Sequence, residues 1–171
     1  YGDPVYVNIG YAWRGNFRND PPYVPDAENH VGSYRRTFDI PASWGGKDIF
    51  LSIGSATSNV YVWVNGRFVG YSEDSKLEAE FDLTPYVKPG RNLIALQMFR
   101  WSDGTYLEDQ DFWRFAGIAR GVELTARDKA HLEDVRITPV LDSEYKDATL
   151  RVEVETTPRV KSVGLTLRDA A

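Results

Sequence analysis

One segment, Arg100–Arg120, combines acidic and aromatic side chains more densely than any other part of the sequence. Carboxylate oxygens accept hydrogen bonds from hydroxyl groups and bind hard cations, whereas aromatic faces stack on flat apolar surfaces. Sugars require both kinds of contact, so we predict a carbohydrate-binding site here. The acids and rings of the segment are Asp103, Glu108, Asp109, Asp111, Trp101, Tyr106, Phe112, Trp113 and Phe115.

Two predicted strands, Asn92–Phe99 and Gly121–Ala126, hold the two ends of this segment. A structureless connection of about 20 residues is uncommon in a compact domain and is usually either functional or disordered. Disordered segments contain few aromatic residues, so the rings in this one argue against disorder. We therefore predict an ordered binding loop.

The carboxylates of this loop also suggest a catalytic pair. Glycosidases place one carboxyl group on each side of the scissile bond, about 5–5.5 Å or 6.5–9.5 Å apart. Glu108, Asp109 and Asp111 are neighbours in one loop, and such neighbours rarely lie on both sides of a substrate. A role in binding a hydroxyl group or a cation is therefore favoured, and Asp111, embedded among rings in QDFWR, is the best candidate. For Asp103, and equally for Asp109, a plain turn is the structural alternative.

Other residues of interest fall into two groups. Arg100, Arg114 and Arg120 are expected to neutralise the acidic loop through bidentate pairs. The tryptophans in or beside predicted strands should belong to the core, and these are Trp44, Trp63 and Trp101. The other two, Trp13 and Trp113, are candidates for a platform on which a ligand stacks.

Composition excludes several classes of function. The chain has 171 residues, a net charge of -5 and scattered basic residues, which argues against a nucleic-acid partner. No apolar run approaches the roughly 18 residues of a membrane span. Without cysteine there are no disulfides or thiolate metal sites, and the compartment stays open between cytoplasm and periplasm. His30 and His131 are too far apart in sequence to suggest a zinc pair.

Short segments rich in β-branched and aromatic residues follow one another from Ser33 to Ala126, and no long helical pattern interrupts them. Asn65-Gly66 predicts a two-residue type I′ hairpin turn, and Phe81–Gly90 predicts a single helical turn between two sheets. We predict an all-β fold in which residues 1–126 form a jelly-roll β-sandwich. Ala12–Pro25 should be a long surface loop that exposes its aromatic residues.

Residues 127–171 alternate as strands of a second sandwich would, at Glu133–Leu141, Ala148–Glu155 and Lys161–Leu167. An immunoglobulin-like sandwich needs about seven strands and ~100 residues, so these are expected to be the first strands of an incomplete immunoglobulin-like domain. We expect the chain to belong to a longer polypeptide.

Several motifs together resemble the N-terminal sugar-binding domain of glycoside hydrolase family 2 β-galactosidases of the lac-operon type. The motifs are DPVYVNIGY, PPYVPDAEN leading to GSYRRTF, VWVNGRFVGYSEDS, EFDLTPYV and RWSDGTYLEDQDFWRFAGIAR, which together extend over nearly all of Asp3–Leu124.

The resemblance implies that the jelly-roll sandwich is galactose-binding-domain-like. It also implies retaining hydrolysis of terminal β-galactosides by a downstream (β/α)8 barrel that carries both catalytic glutamates. It implies further that Asn8 contacts the galactose and that Asp111 contacts the sugar and helps to bind a sodium ion. Magnesium elsewhere in the full enzyme and a homo-oligomeric state are also implied. The fragment itself should contain no catalytic residue and be inactive alone. Two alternatives remain: an autonomous carbohydrate-binding module that uses Trp13 and Trp113, and another family 2 glycosidase such as a glucuronidase or mannosidase.

Overall fold

The computed structural model describes residues 5–7, 11, 13–108 and 112–168, with the main chain alone at 5–7 and 112–114. It divides into two compact units, residues 1–126 and 127–171. Helical structure in the described residues consists of two 3-10 turns, Ala42–Trp44 and Asp103–Tyr106, and none of it is long or apolar enough to cross a membrane. The strands are β1 (Val5–Val7), β2 (Val31–Ile40), β3 (Asp48–Ile53), β4 (Ala56–Thr57), β5 (Val60–Val64), β6 (Arg67–Ser72), β7 (Ala79–Asp82), β8 (Gly90–Phe99), β9 (Phe112–Arg114), β10 (Gly117–Ile118), β11 (Val122–Arg127), β12 (Leu132–Leu141) and β13 (Ala148–Thr156).

Two sheets form the sandwich of the first unit. A four-stranded sheet has the order β2-β8-β5-β6, with antiparallel neighbours throughout, and a three-stranded sheet has the order β11-β3-β7. Two short antiparallel pairs, β1 with β9 and β4 with β10, connect the remaining segments. The predicted all-β sandwich is therefore confirmed.

The core lies between the two sheets and follows from the alternation of side chains along each strand. On β5, Val60, Val62 and Val64 are fully buried, whereas Tyr61 and Trp63 point to the outer face. The expectation that Trp63 belongs to the core is therefore wrong, because the strand's period of two places it opposite the buried valines. The buried hydrophobic cluster consists of Ile40, Ile49, Leu51, Ile53, Ala56, Val60, Val62, Val64, Phe81, Leu83, Leu96 and Met98, with Trp44 packed against it.

The turn between β5 and β6 has the predicted geometry. Asn65 and Gly66 have φ values of 51° and 79°, the two positive values that a type I′ turn requires. The Asn65 side chain also bonds outside its own hairpin: its Nδ2 donates to Asn92 Oδ1 at 2.8 Å, and its Oδ1 accepts from the Leu93 amide at 3.0 Å. The turn residue thus ties β5 to β8 as well as to β6.

The segment between β7 and β8 confirms the predicted single turn. The Thr84 amide donates to Asp82 Oδ1 at 2.8 Å, and the Tyr86 and Val87 amides donate to the Leu83 carbonyl at 2.8 and 3.1 Å. β7 belongs to the three-stranded sheet and β8 to the four-stranded sheet. This turn therefore carries the chain from one sheet to the other.

The described part of the second unit, residues 127–168, contains the antiparallel hairpin of β12 with β13. Asp142 organises its turn, because Asp142 Oδ1 accepts hydrogen bonds from the Glu144 and Lys146 amides at 3.1 and 2.9 Å. The strand predicted at Lys161–Leu167 is absent from this described stretch. A strand needs a partner for its ladder of hydrogen bonds, and sequence alternation alone does not supply one.

Candidate functional site

The acidic and aromatic segment after β8 is ordered, as predicted, but it contains short regular elements and is not a loop throughout. It contains the 3-10 turn Asp103–Tyr106 and then β9 and β10, each paired with a distant part of the chain. The turn begins at the Ser102-Asp103-Gly104 signal, where the Ser102 amide donates to Thr105 Oγ1 at 3.1 Å. The turn role weighed for Asp103 is thereby confirmed, and the segment is ordered by main-chain hydrogen bonds.

The pairing of β1 with β9 is the central geometrical feature of the site. Val5, Tyr6 and Val7 pair with Arg114, Trp113 and Phe112, so two segments more than 100 residues apart in sequence run antiparallel. The two predicted sugar-contacting residues, Asn8 and Asp111, lie outside the described residues, as do Asp109 and Gln110. Their bonded neighbours in the chain, Val7 and Phe112, are register partners.

A cluster of packed rings joins the segment to the predicted surface loop Ala12–Pro25. The Phe17 ring makes edge contacts with Trp101 at 5.3 Å and Tyr106 at 5.7 Å between centroids, and Trp13 lies 5.7 Å from Tyr106. Trp101 is only 7% exposed, which confirms its predicted burial. Trp13 and Phe17 are half-buried in this cluster, so they are not the freely exposed rings that we expected. Tyr23 is 74% exposed, as expected of a ring on this loop.

Hydrogen bonds fix the same cluster. Asn29 brackets the main chain of Trp101: its Oδ1 accepts from the Trp101 amide at 2.9 Å and its Nδ2 donates to the Trp101 carbonyl at 3.1 Å. The Tyr106 hydroxyl donates to the Tyr23 carbonyl at 2.6 Å and accepts from the Asp20 amide at 3.2 Å. The loop is therefore held rigidly against the segment. No sequence signal had identified Asn29 as one of the residues responsible.

The arginines do not all neutralise acids. Arg120 Nη1 donates to the main-chain carbonyls of Lys76 and Gly54 at 3.0 and 3.4 Å, so the bidentate carboxylate pair expected for it is not what the structure shows. The Arg100 guanidinium lies 5.1 Å from the centroid of the Trp101 ring, a cation–π contact. Arg120 thus fastens the end of the segment to the main chain of the sandwich.

The described part of the chain contains no complete set of metal ligands, because no group of three or more His, Asp or Glu side chains there could hold an ion. A small cavity of 170 Å³ lies between the two ends of the segment and is lined by Arg100, Phe99, Ala116 and Gly117 among others. The described residues therefore provide a rigid aromatic base and a paired strand tip but not a closed metal site.

Comparison with known proteins assigns this architecture to a family. Residues 1–128 match the glycosyl hydrolases family 2 sugar binding domain. The chain is 44% identical over 155 residues to a β-galactosidase of Priestia megaterium, covering 91% of this chain and 15% of that protein. It is 47% identical over 156 residues to a β-galactosidase of Aeromonas hydrophila subsp. hydrophila, covering 89% of this chain and 14% of that protein. The chain thus spans about 15% of the length of the curated relatives it matches.

Solved structures show the same fold. A Bacteroides uniformis β-glucuronidase superposes with a TM-score of 0.68 at 27% identity, over 75% of this chain and 16% of that one. A Bacteroides vulgatus β-glycosidase superposes with a TM-score of 0.64 at 25% identity, over 77% of this chain and 17% of that one. By its matched domain and its relatives, the chain belongs to glycosyl hydrolase family 2 and carries that family's sugar binding domain.

Proposed function

We propose that this chain is part of a longer β-galactosidase that hydrolyses terminal non-reducing β-galactosides with retention of configuration. The catalytic glutamates belong to a (β/α)8 barrel elsewhere in that polypeptide. The sandwich contributes Asn8 and Asp111 to the sugar site, and the fragment has no hydrolytic activity by itself.

The pairing of β1 with β9 is the single observation that carries this proposal. It brings together two distant parts of the sequence at Val7 and Phe112, the neighbours of the two proposed sugar contacts. The ring cluster around Trp101 and Tyr106 orders the first part of the same segment. Binding groups need such a rigid base if they are to be held in a productive geometry.

The chemistry of the two residues fits a sugar and a cation. An ionised aspartate has only acceptor oxygens, which suit a hydroxyl group and a hard cation equally well. An asparagine amide supplies both a donor and an acceptor to one or two hydroxyl groups. We propose that Asp111 also binds sodium, together with ligands from the barrel, and that magnesium, if required, binds elsewhere in a homo-oligomeric enzyme.

Substitution of Asp111 in the full-length enzyme tests the proposal. Asp111→Ala should lower kcat/KM for a β-galactoside by about 100-fold, as expected when a charged hydrogen bond of roughly 3 kcal/mol is lost. It should also abolish the dependence of activity on sodium. Asp103→Ala, which changes an exposed acid of the 3-10 turn, is the matched control and should leave both properties unchanged. Unchanged kinetics in Asp111→Ala would refute the assignment.

Two other functions are separated by simple measurements. The solved relatives include β-glucuronidases, so the full-length enzyme should be assayed with matched β-galactoside, β-glucuronide and β-mannoside substrates. A preference for either of the last two would favour the other family 2 activities. Calorimetric titration of the folded 171-residue chain with galactosides tests an autonomous carbohydrate-binding module. Measurable affinity would favour the module, whereas a half-site should show none.

A further inference from the structure

The turn between β5 and β6 contains a chemically reactive pair of residues. Asn65-Gly66 is the one Asn-Gly pair among the 171 residues. In such a pair the main-chain nitrogen of the glycine can attack the side-chain carbon Cγ of the asparagine, because glycine has no side chain that obstructs the approach. Both residues are exposed, and no atom of the described chain lies within 4 Å of where a Gly66 Cβ would be. Sequence and exposure therefore favour deamidation at this turn.

Deamidation at this pair consists of two steps. Attack of Gly66 N on Asn65 Cγ closes a five-membered succinimide ring, and the side-chain nitrogen leaves as ammonia with the proton that Gly66 N loses. Water then opens the ring at one of its two carbonyl groups, which gives aspartate or iso-aspartate at position 65. Water is the only other reactant, so the reaction needs neither an enzyme nor a cofactor.

Three hydrogen bonds hold the Asn65 side chain against this reaction. Its Nδ2 donates to the Tyr86 carbonyl at 2.9 Å and to Asn92 Oδ1 at 2.8 Å, and its Oδ1 accepts from the Leu93 main-chain N–H at 3.0 Å. We call these three bonds the turn clamp. Ring closure makes the planar carbon Cγ tetrahedral and moves it onto Gly66 N. It therefore requires the turn clamp to open.

The partners of the turn clamp are themselves held in place. Asn92 is only 2% exposed, and its side chain makes three further hydrogen bonds with the main chain between β7 and β8. Arg67, the residue after the turn, donates from Nη1 to the Pro85 carbonyl at 2.8 Å, and its guanidinium lies 4.7 Å from the centroid of the Tyr86 ring. The turn clamp thus joins the β5–β6 turn to a well-fixed segment.

Deamidation would remove the turn clamp permanently. A carboxylate at position 65 lacks the donor hydrogens that bond to Tyr86 and Asn92, and it places negative oxygens against these two acceptors. Iso-aspartate also inserts the side-chain carbon into the main chain of a two-residue turn. Refolding does not restore the lost nitrogen, so a transient opening becomes a lasting change.

We propose that Asn65-Gly66 is a latent deamidation site, which the turn clamp keeps unmodified in the folded protein and which is modified when the clamp opens. The burial of Asn92 and the exposure of the turn give the two halves of this inference: the reaction is chemically accessible, and hydrogen bonds alone prevent it. The inference concerns the turn and holds for any glycoside that the full-length enzyme hydrolyses.

Peptide mapping of the full-length protein tests the protection. Wild type is incubated at mildly alkaline pH, either folded or unfolded in guanidinium chloride, and digested with trypsin. Peptide 48–67 then carries both Asn65 and Asn59, and tandem mass spectrometry assigns the change from amide to acid to one of them. Asn59 is the internal control, because the β-branched Val60 follows it.

We expect Asn65 to be modified at least about 100-fold more slowly in the folded protein than in the unfolded one, because three hydrogen bonds must break first. Asn59 should stay unmodified over the same time in both states. Folded and unfolded rates at Asn65 within about threefold of each other would overturn the proposal. So would the absence of modification at Asn65 in the unfolded protein.

Two substitutions separate the turn clamp from overall stability. Asn92→Ala removes one partner of the clamp, whereas Leu51→Ala weakens the core on β3, in the other sheet. In the folded protein, Asn65 should be modified at least about fivefold faster in Asn92→Ala than in wild type. Leu51→Ala should change the rate by less than about twofold. Equal acceleration by the two substitutions would overturn the proposal, because global unfolding would then control the reaction.

Hydrogen exchange of wild type decides the question if Asn92→Ala does not fold. Exchange of the Leu93 amide requires loss of its bond to Asn65 Oδ1, so its protection factor measures opening of the turn clamp. The slowing of deamidation in the folded protein should equal this factor within about threefold. A slowing that instead equals the protection of the slowest-exchanging core amides would overturn the proposal, because the site would then react only after global unfolding.

Discussion

Asn92 is a buried residue, only 2% exposed, whose side chain makes four hydrogen bonds inside the protein. Its Oδ1 accepts from Asn65 Nδ2 at 2.8 Å and from the Lys88 amide at 2.9 Å. Its Nδ2 donates to the carbonyls of Lys88 and Gly90, both at 2.7 Å. One amide therefore joins the β5–β6 turn to the beginning of β8. We expect Asn92→Asp to be among the most destabilising isosteric changes in the sandwich.

The cost follows from which bonds survive. The introduced carboxylate keeps the two accepted hydrogen bonds but loses both donated ones, and it places a negative oxygen against the carbonyls of Lys88 and Gly90. Two lost hydrogen bonds cost about 2 kcal/mol. A buried charge that faces acceptors adds a similar amount. We therefore expect the free energy of unfolding to fall by about 4 kcal/mol at pH 8.

Urea unfolding of wild type and variant, followed by tryptophan fluorescence, measures this difference. With a slope of about 2 kcal/mol per molar urea, the midpoint should fall by about 2 M. Burial and the two carbonyls raise the pKa of the introduced carboxyl in the folded state above its unfolded value. The charge-dependent part of the penalty is therefore fully present above the folded pKa and shrinks as the pH falls from it to the unfolded pKa, so the two midpoints should move closer together as the pH is lowered from 8 to about 4.

The control is Asn19→Asp, at an exposed position, which should change the free energy of unfolding by no more than about 0.5 kcal/mol. If Asn92→Asp costs less than about 1 kcal/mol at pH 8, or if its cost does not depend on pH, the role assigned to the buried amide is wrong.

Three further predictions concern the core, the outer face and the ring cluster. Leu51→Ala should cost about 2–5 kcal/mol in urea unfolding, whereas exposed Leu77→Ala should cost less than about 0.5 kcal/mol; equal costs would contradict the core assignment. Burial, and then the 2.6 Å hydrogen bond that the Tyr71 hydroxyl donates to Glu73, raise the pKa of the Tyr71 phenol. The protonated Tyr71 phenol should therefore stabilise the folded protein below about pH 10, and this contribution should decrease as the pH rises further. Between pH 9 and pH 11 the urea midpoint of Tyr71→Phe should thus fall less than that of wild type. Tyr106→Phe removes the hydroxyl that holds the Ala12–Pro25 loop, and it should cost about 1–2 kcal/mol and speed amide hydrogen exchange in that loop; unchanged exchange would show that the rings alone hold it.

The sequence by itself determined the features that depend on local chemistry. Asn65-Gly66 has the two positive φ values that its residue types favour, and the strand there has its apolar and aromatic residues on opposite faces. Asp82 caps the single turn between the sheets, as its short acidic side chain allows. Each of these features depends only on residues within a few positions of one another, so it can be predicted from the sequence without knowledge of the tertiary contacts. The motifs also indicated family 2, to which the chain belongs.

Tertiary structure alone decided which distant segments meet. β1 pairs with β9, the Ala12–Pro25 loop packs its rings against Trp101, and Arg120 bonds to main-chain carbonyls and not to acids. Alternation at Lys161–Leu167 predicted a strand that the described chain does not form, because alternation specifies two faces but no partner. Pairing between remote segments is set by the summed packing of the whole sandwich, which no local pattern encodes.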